Sequence, residues 1–212
     1  MIKRYSSIVF DLDGTLVDSV KGIELSFKYA FYNTYGEDLK QSIKFLIGPP
    51  IDQVLVKFNG EKDLDMINKF IGFFKDHYDI IGFKESQLFS GVIHTLKILK
   101  ENEMKIFIAT NKRYLPTQKI LSWLKIDDYF LAIYCSDFPR YEFSSKTQML
   151  GNLIMNHNLI KEEILMIGDT INDSEAATNN NINFAFVEYG YGDCQNPMYS
   201  LNNVKKVLSI IQ

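Results

Sequence analysis

Five short apolar runs punctuate the chain: Ile8-Val9-Phe10, Ile106-Phe107-Ile108-Ala109, Ala132-Ile133-Tyr134-Cys135, Ile164-Leu165-Met166-Ile167 and Asn183-Phe184-Ala185-Phe186-Val187. Continuous runs of this length, rich in Ile, Val and Phe, predict buried strands. The segments between them carry a helical period instead. Val92, Ile93, Leu96 and Leu99 share one face of a helix from Val92 to Lys100. Pro116 suits a first helical turn, with Ile120, Leu121 and Leu124 facing inward and Trp123 beside them. Ser144 or Ser145 caps a helix running to about His157, with Met149, Leu150, Leu153 and Ile154 inward. A short helix starts at Glu175-Ala176-Ala177 and stops at Asn179-Asn180-Asn181, and a last helix spans about Leu201 to Ile211. Strands alternating with helices predict an α/β fold: a three-layer, Rossmann-like parallel sheet.

One interval breaks this rhythm. A parallel strand–helix–strand unit needs a crossover of about a dozen residues. Residues 16–86 far exceed that, and a structureless loop of such length is implausible inside a compact domain. The interval carries its own helical faces, Ile23, Phe27, Ala30 and Phe31 on one and Ile67, Phe70, Ile71, Phe74 and Tyr78 on another. An inserted α-helical subdomain is therefore expected over 16–86, with 1–15 and 87–212 forming the core. The insertion is entered near Thr15–Val17 and left near Gly82–Ser90, and two chain crossings make a natural hinge. Its aromatic stripe reads as plain core, without a site role. Gly48-Pro49-Pro50 is either a loop facing the site or a plain rigid turn.

Composition narrows the class. With 212 residues, 46% hydrophobic and 23% charged, the chain can build a sizeable core. A net charge of −3 offers no basic field for a nucleic-acid polymer or an anionic membrane. Cys135 and Cys194 form no Cys-x-x-Cys pair, so they read as plain thiols in a reducing compartment. Met1-Ile2-Lys3-Arg4 runs almost directly into the first strand, and no apolar run approaches a membrane span. The expectation is a soluble cytoplasmic protein, monomer or homodimer, in which a small anionic substrate would have to be caught by local cations.

The chemistry lies where apolar runs end. Asp11 and Asp13, two apart in extended chain, point the same way at the end of the first strand. Two like charges there are costly unless a cation or proton offsets them. The economical reading is a Mg²⁺ site with one carboxylate free as nucleophile. Asp13-Gly14 could instead be a hairpin turn, but the nearby Asp18-Ser19-Val20 looks like a capped helix start rather than a second strand. Thr110-Asn111 offers a hydroxyl and an amide for a phosphate, although such residues are also ordinary turn formers. Lys146 opens a helix, where the macrodipole disfavours a cation; either an anion sits nearby or the side chain points away. Gly168-Asp169-Thr170-Ile171-Asn172-Asp173 puts two carboxylates four apart after a buried strand, suiting cation coordination with outer support.

The order Asp11/Asp13, Thr110-Asn111, Lys146, Asp169/Asp173 resembles the four motifs of the haloacid dehalogenase superfamily, over the whole chain. An insertion directly after the first motif looks like that superfamily's first cap class. Leu12-Asp13-Gly14-Thr15-Leu16-Val17-Asp18-Ser19, Gly48-Pro49 and Thr110-Asn111-Lys112 are similar to the phosphoglycolate phosphatase-like subgroup. Two departures stand out: Thr147 follows Lys146, and Ser90 precedes Gly91, where proline is usual. True dehalogenases lack the second aspartate, so Asp13 argues for phosphoryl transfer.

The resemblance implies a Mg²⁺-dependent phosphatase acting on a phosphoglycolate-like, nucleotide or sugar phosphate through an aspartyl phosphate. Asp11 would attack phosphorus, and Asp13 would serve as acid and then base. Mg²⁺ would be held by Asp11, Asp169 and the backbone of Asp13. Asp173 would support the metal's waters and orient Lys146. Thr110, Asn111 and Lys146 would hold the phosphate oxygens. Alternatives are a phosphomutase such as a β-phosphoglucomutase-like enzyme, an inorganic pyrophosphatase, and a non-catalytic phosphate-binding protein. A phosphonoacetaldehyde hydrolase would need a Schiff-base lysine in the insertion, where Lys21, Lys28 and Lys44 are available.

Overall fold

The computed structural model describes residues 4–43, 49, 51–138 and 141–211. Lys44, Gly48 and Pro50 lie outside the described residues. In chain order the elements are β1 (Ser7–Phe10), β2 (Val17–Asp18), α1 (Val20–Tyr35), α2 (Ile51–Asn59), α3 (Leu64–Tyr78), β3 (Gln87–Leu88), α4 (Val92–Glu101) and β4 (Lys105–Thr110). Beyond β4 come α5 (Tyr114–Trp123), β5 (Ala132–Cys135), β6 (Asp137–Phe138), β7 (Tyr141–Glu142), α6 (Lys146–Asn156), β8 (Ile164–Gly168), α7 (Ile171–Asn179), β9 (Asn183–Val187), β10 (Tyr199–Leu201) and α8 (Val207–Ile210).

The five expected strands form one parallel sheet, which a sixth completes in the order β10-β9-β8-β1-β4-β5. The pleat sorts its side chains into two layers. Ile8, Phe10, Ile106, Ile108, Leu165 and Ile167 pack with Leu96 and Leu99 of α4 and with Ile120 and Leu121 of α5. Val9, Phe107, Ala109 and Met166 point the other way, onto Met149, Leu150, Leu153 and Ile154 of α6 and Ala176 and Ala177 of α7. Burial on both faces is why the strands read as unbroken apolar runs.

Sheet order positions the site. β1 lies between β4 and β8, with Phe10 opposite both Ile108 and Ile167. The chain moves outward one way to β5, then returns to the other side of β1 for β8, β9 and β10. Order reverses at β1, and the crevice outside the carboxyl ends of strands at such a switch point is where α/β sheets bind ligands.

Between β2 and β3 the described elements are helical. Phe27 of α1 sits edge-on to Phe70 of α3 and to Phe58 of α2, at centroid separations of 4.8 Å and 5.6 Å. Asp63 caps α3 by accepting the Asp65 and Met66 N–H groups. The two chain crossings pair as a short antiparallel ribbon, Val17 opposite Leu88 and Asp18 opposite Gln87.

Three local expectations need correction. The helix expected over Leu201–Ile211 is a strand, a 3-10 turn (Val204–Lys206) and the single turn of α8. Tyr199–Leu201 pairs with Ala185–Val187 at the open edge of β9, and three residues are too few for a strand period to show. Helix α7 begins at Ile171 rather than Glu175, because Thr170 and Asp173 form a reciprocal capping box. On α4, Ile93 is exposed and Thr95 is buried in its place, so one expected inward position faces solvent.

Candidate active site

Three strand ends and one helix start converge. Asp11 follows β1 and is held to β8 by its N–H on the Ile167 carbonyl, at 2.9 Å. Asp169 follows β8, Thr110 closes β4, and Lys146 is the first residue of α6. Ser145 caps α6, its side chain accepting the Gln148 N–H, and this fixes the direction in which Lys146 leaves the helix. Asp11, Thr110, Lys146, Asp169 and Asp173 are all buried.

Lys146 is the electrostatic centre. Its ammonium donates to Asp11 Oδ1 at 2.6 Å and to Asp173 Oδ1 at 2.5 Å. Burial works against the charge on Lys146, but the carboxylates of Asp11 and Asp173 outweigh it and hold the group protonated well past neutrality. The anion that offsets a cation at this helix start is thus already present as protein carboxylate. The second oxygen of Asp173 accepts from the Thr170 N–H and hydroxyl, at 3.0 Å and 2.7 Å. Both its oxygens are therefore committed to protein donors.

The carboxylates are in excess over the cation. One oxygen from each of Asp11, Asp169 and Asp173 lies within 4.8 Å of the other two. Burial, with Asp173 and Asp13 adding repulsion, lifts Asp11 to about 7 against the pull of Lys146. Burial, reinforced by Asp11 and Asp173, lifts Asp169 to about 8. Asp169 Oδ2 accepts the Tyr191 N–H at 2.7 Å, whereas its Oδ1 is buried without any hydrogen-bond partner. A buried carboxylate oxygen with no donor, among like charges, fits a hard divalent cation. The backbone is shaped around this group: at Gly14, with φ of +85°, a Cβ would stand 2.1 Å from Asp169 Oδ2.

Asp13 behaves differently from its neighbour. Its Oδ2 accepts from Lys112 Nζ at 2.9 Å, and its Oδ1 is buried and unpartnered. The acidic cluster therefore takes in Asp173 rather than the Asp13 side chain. Lys112 sits 4.5 Å from the ring centroid of Tyr78, at the end of α3. Burial opposes its charge, and Asp13 and Tyr78 together outweigh burial and keep it protonated.

These groups open into one cavity of about 290 Å³ between the sheet edge and the helical segment. Thr110, Asn111 and Lys146 lie on its floor with Asp11 and Asp13, while Ile23, Val54, Ile71, Phe74 and Tyr78 form a mostly apolar roof that also carries Asp52 and Lys75. The aromatic stripe of the insertion, read from sequence as core alone, thus also faces the cavity, because one helix can bury one flank and line a cleft with the other. Lys21 pairs with Glu85, and both Lys21 and Lys28 are exposed, so neither enters the cavity; Lys44 lies outside the described residues. Pro49 lines the cavity, which settles only that residue of the expected Gly48-Pro49-Pro50 loop.

The pattern of apolar runs pointed to neither Lys112 nor the residues joining roof to floor. Arg113 makes two bonds to Asp79, at 2.6 Å and 3.1 Å, and Lys119 donates to the Asp79 carbonyl at 2.6 Å. A basic run directly after Thr110-Asn111 was the available signal. Truncating the ion pair by Asp79→Ala is expected to cost about 1 kcal/mol, read as a lower denaturant midpoint at unchanged slope.

Comparison with known proteins agrees with this geometry. The model of the family described as haloacid dehalogenase-like hydrolase matches residues 8–187. The chain belongs to this family. The hydrolase is 29% identical over 193 residues to a 5'-nucleotidase of Pseudomonas aeruginosa, covering 89% of this chain and 85% of that one. It is 28% identical over 221 residues to a phosphoglycolate phosphatase of Photobacterium profundum, covering 97% and 95%. The crystal structure of a predicted phosphatase from Clostridium acetobutylicum superposes with a TM-score of 0.87 at 28% identity, covering 98% of each chain. These relatives place the chain among the phosphohydrolases of its family. Among the described residues, no helix is long and apolar enough to cross a membrane.

The buried carboxylates make the metal-free hydrolase sensitive to pH. The folded state holds Asp11 and Asp169 protonated up to about 7 and about 8, above the ordinary carboxylate value that the unfolded chain would show. Across that window the folded state binds more protons, so stability is highest at the acid end and falls as pH rises. Thermal melts in chelator should show this decline. Added Mg²⁺ should raise the melting temperature more at alkaline than at mildly acidic pH, since cation and protons compete for the same oxygens.

Proposed function

We propose that the hydrolase is a Mg²⁺-dependent phosphatase acting on a small organic phosphomonoester through phosphorylated Asp11. The observation that carries this is the pairing of Asp11 with Lys146 beside an unpartnered oxygen of Asp169, opening on the cavity floored by Thr110 and Asn111. Asp11, Asp169 and the Asp13 carbonyl are the groups that would hold Mg²⁺, whose charge would offset repulsion between carboxylate and phosphate.

A carboxylate oxygen of Asp11 attacks phosphorus, and the P–O bond to the leaving group breaks. Asp13 gives its proton to the leaving oxygen, then takes one from the water that hydrolyses the acyl phosphate. Lys112 holds the Asp13 carboxyl in place for both transfers. Thr110, Asn111 and Lys146 steady the phosphoryl oxygens as charge redistributes. Asp173 keeps Lys146 aimed at the site. Residues 16–86 act as a cap: closure excludes bulk water and sets the mostly apolar roof against the leaving group. That roof suits an organic body, such as those implied by the names of the 5'-nucleotidase and phosphoglycolate phosphatase relatives.

The test is phosphate release from a panel of nucleoside monophosphates, sugar phosphates, phosphoglycolate and pyrophosphate. Release that requires Mg²⁺, stops in chelator and favours an organic monoester is expected. A folded protein that binds Mg²⁺ and releases phosphate from none of them would contradict the reading.

A further inference from the structure

The reaction leaves unexplained a loop that crosses the sheet edge after β9. Tyr189 donates its hydroxyl proton to the Thr15 carbonyl at 2.9 Å. The Tyr191 hydroxyl accepts the Ser19 N–H at 2.8 Å and donates to Asp18 Oδ1 at 2.9 Å. Thr15 to Ser19 is the entry into the helical segment, and Ser19 is the N-cap residue of α1. The exit is gripped as well, because the Phe89 ring packs against Tyr189 and Tyr191 at centroid separations of 4.8 Å and 6.5 Å. Both chain crossings thus rest on two tyrosines that are distant in sequence.

The same loop holds the carboxylate with the unpartnered oxygen. The Tyr191 N–H is the donor on Asp169 Oδ2. At Gly190 a Cβ would lie 2.2 Å from the Asp169 Cβ, so only glycine lets the backbone come this close. Asp169 and the hinge are therefore linked through one residue, Tyr191, whose backbone touches one and whose side chain touches the other. Packed interiors transmit such displacements because they do not deform freely.

We propose that the 189–191 loop couples Asp169 to the cap hinge, with Tyr191 as the positioning residue: a cation on Asp169 fixes the loop, and the loop fixes the two crossings. This rests on the proposed reading of Asp169 as a Mg²⁺ ligand and of 16–86 as a cap. Tyr191→Phe removes the hydroxyl and keeps the N–H on Asp169, so it separates the two contacts.

The experiment measures Mg²⁺ binding by calorimetry, and hydrogen exchange at residues 15–20, for the wild-type protein and Tyr191→Phe. That entry segment, which the two tyrosine hydroxyls contact, holds none of the candidate metal ligands. In the wild type, Mg²⁺ should slow exchange there by ~threefold or more. In Tyr191→Phe, Mg²⁺ affinity should stay within ~twofold while the slowing disappears, and KM should rise more than kcat falls. Should Tyr191→Phe not fold, Tyr189→Phe loses only the bond to Thr15 and should show partial loss of the slowing. The coupling is overturned if the variant keeps the full slowing, if it no longer binds Mg²⁺, or if the wild type binds Mg²⁺ with no slowing. A wild type that binds no Mg²⁺ instead defeats the metal reading, and the coupling with it.

Discussion

Asp11→Asn should abolish phosphate release while leaving the protein folded. An amide is nearly isosteric but is not a competent nucleophile, so the loss should reach about 10⁴-fold or more in kcat if Asp11 forms the covalent bond. The fold should tolerate the change. Asp11 is buried among other carboxylates, and that environment already lifts it to about 7, so its charge is held at a cost. Lys146 keeps Asp173 as partner when the Asp11 charge is removed. Steady-state assays with thermal melts on the same sample check both halves. A variant that unfolds, or keeps a tenth of wild-type activity, would contradict the assignment.

Lys146→Met is the counterpart, and should damage stability as well as rate. It removes the cation between Asp11 and Asp173 and leaves both carboxylates buried without it. Breaking a buried pair by deleting one partner typically costs about 3–5 kcal/mol. The cost should shrink at acid pH, where the carboxylates can take up protons, and grow at alkaline pH, where they cannot. Activity should fall by about 10³-fold through lost stabilisation of the phosphoryl oxygens. Urea unfolding at two pH values separates this from a simple packing defect, which would not vary with pH. Equal destabilisation at both would remove the electrostatic explanation.

The sequence made the sheet legible because its strands are buried on both faces. Ile8–Phe10 and Ile164–Ile167 show as apolar runs for that reason, and the polar residues after them stand out as strand ends. Residues such as Asp11 and Asp169 were visible because a carboxylate after a buried strand needs a reason to be there. What stayed hidden depends on contacts between distant segments. Tyr199–Leu201 is a strand only because β9 offers it an open edge. Lys112 looks like a surface lysine until Asp13 and Tyr78 close on it. Tyr189 and Tyr191 are two aromatics in a glycine-containing loop until their hydroxyls reach Thr15 and Ser19. The aromatic stripe of α3 carried its period plainly, but not which flank meets the cavity.

Covalent catalysis by Asp11 is the central claim, and rapid acid quench during turnover addresses it directly. Mass spectrometry of the digested protein should find a phosphoryl adduct on the peptide containing Asp11, formed only with substrate and Mg²⁺ and absent from Asp11→Asn. Turnover with no adduct at any quench time, or an adduct on another residue, would contradict the account.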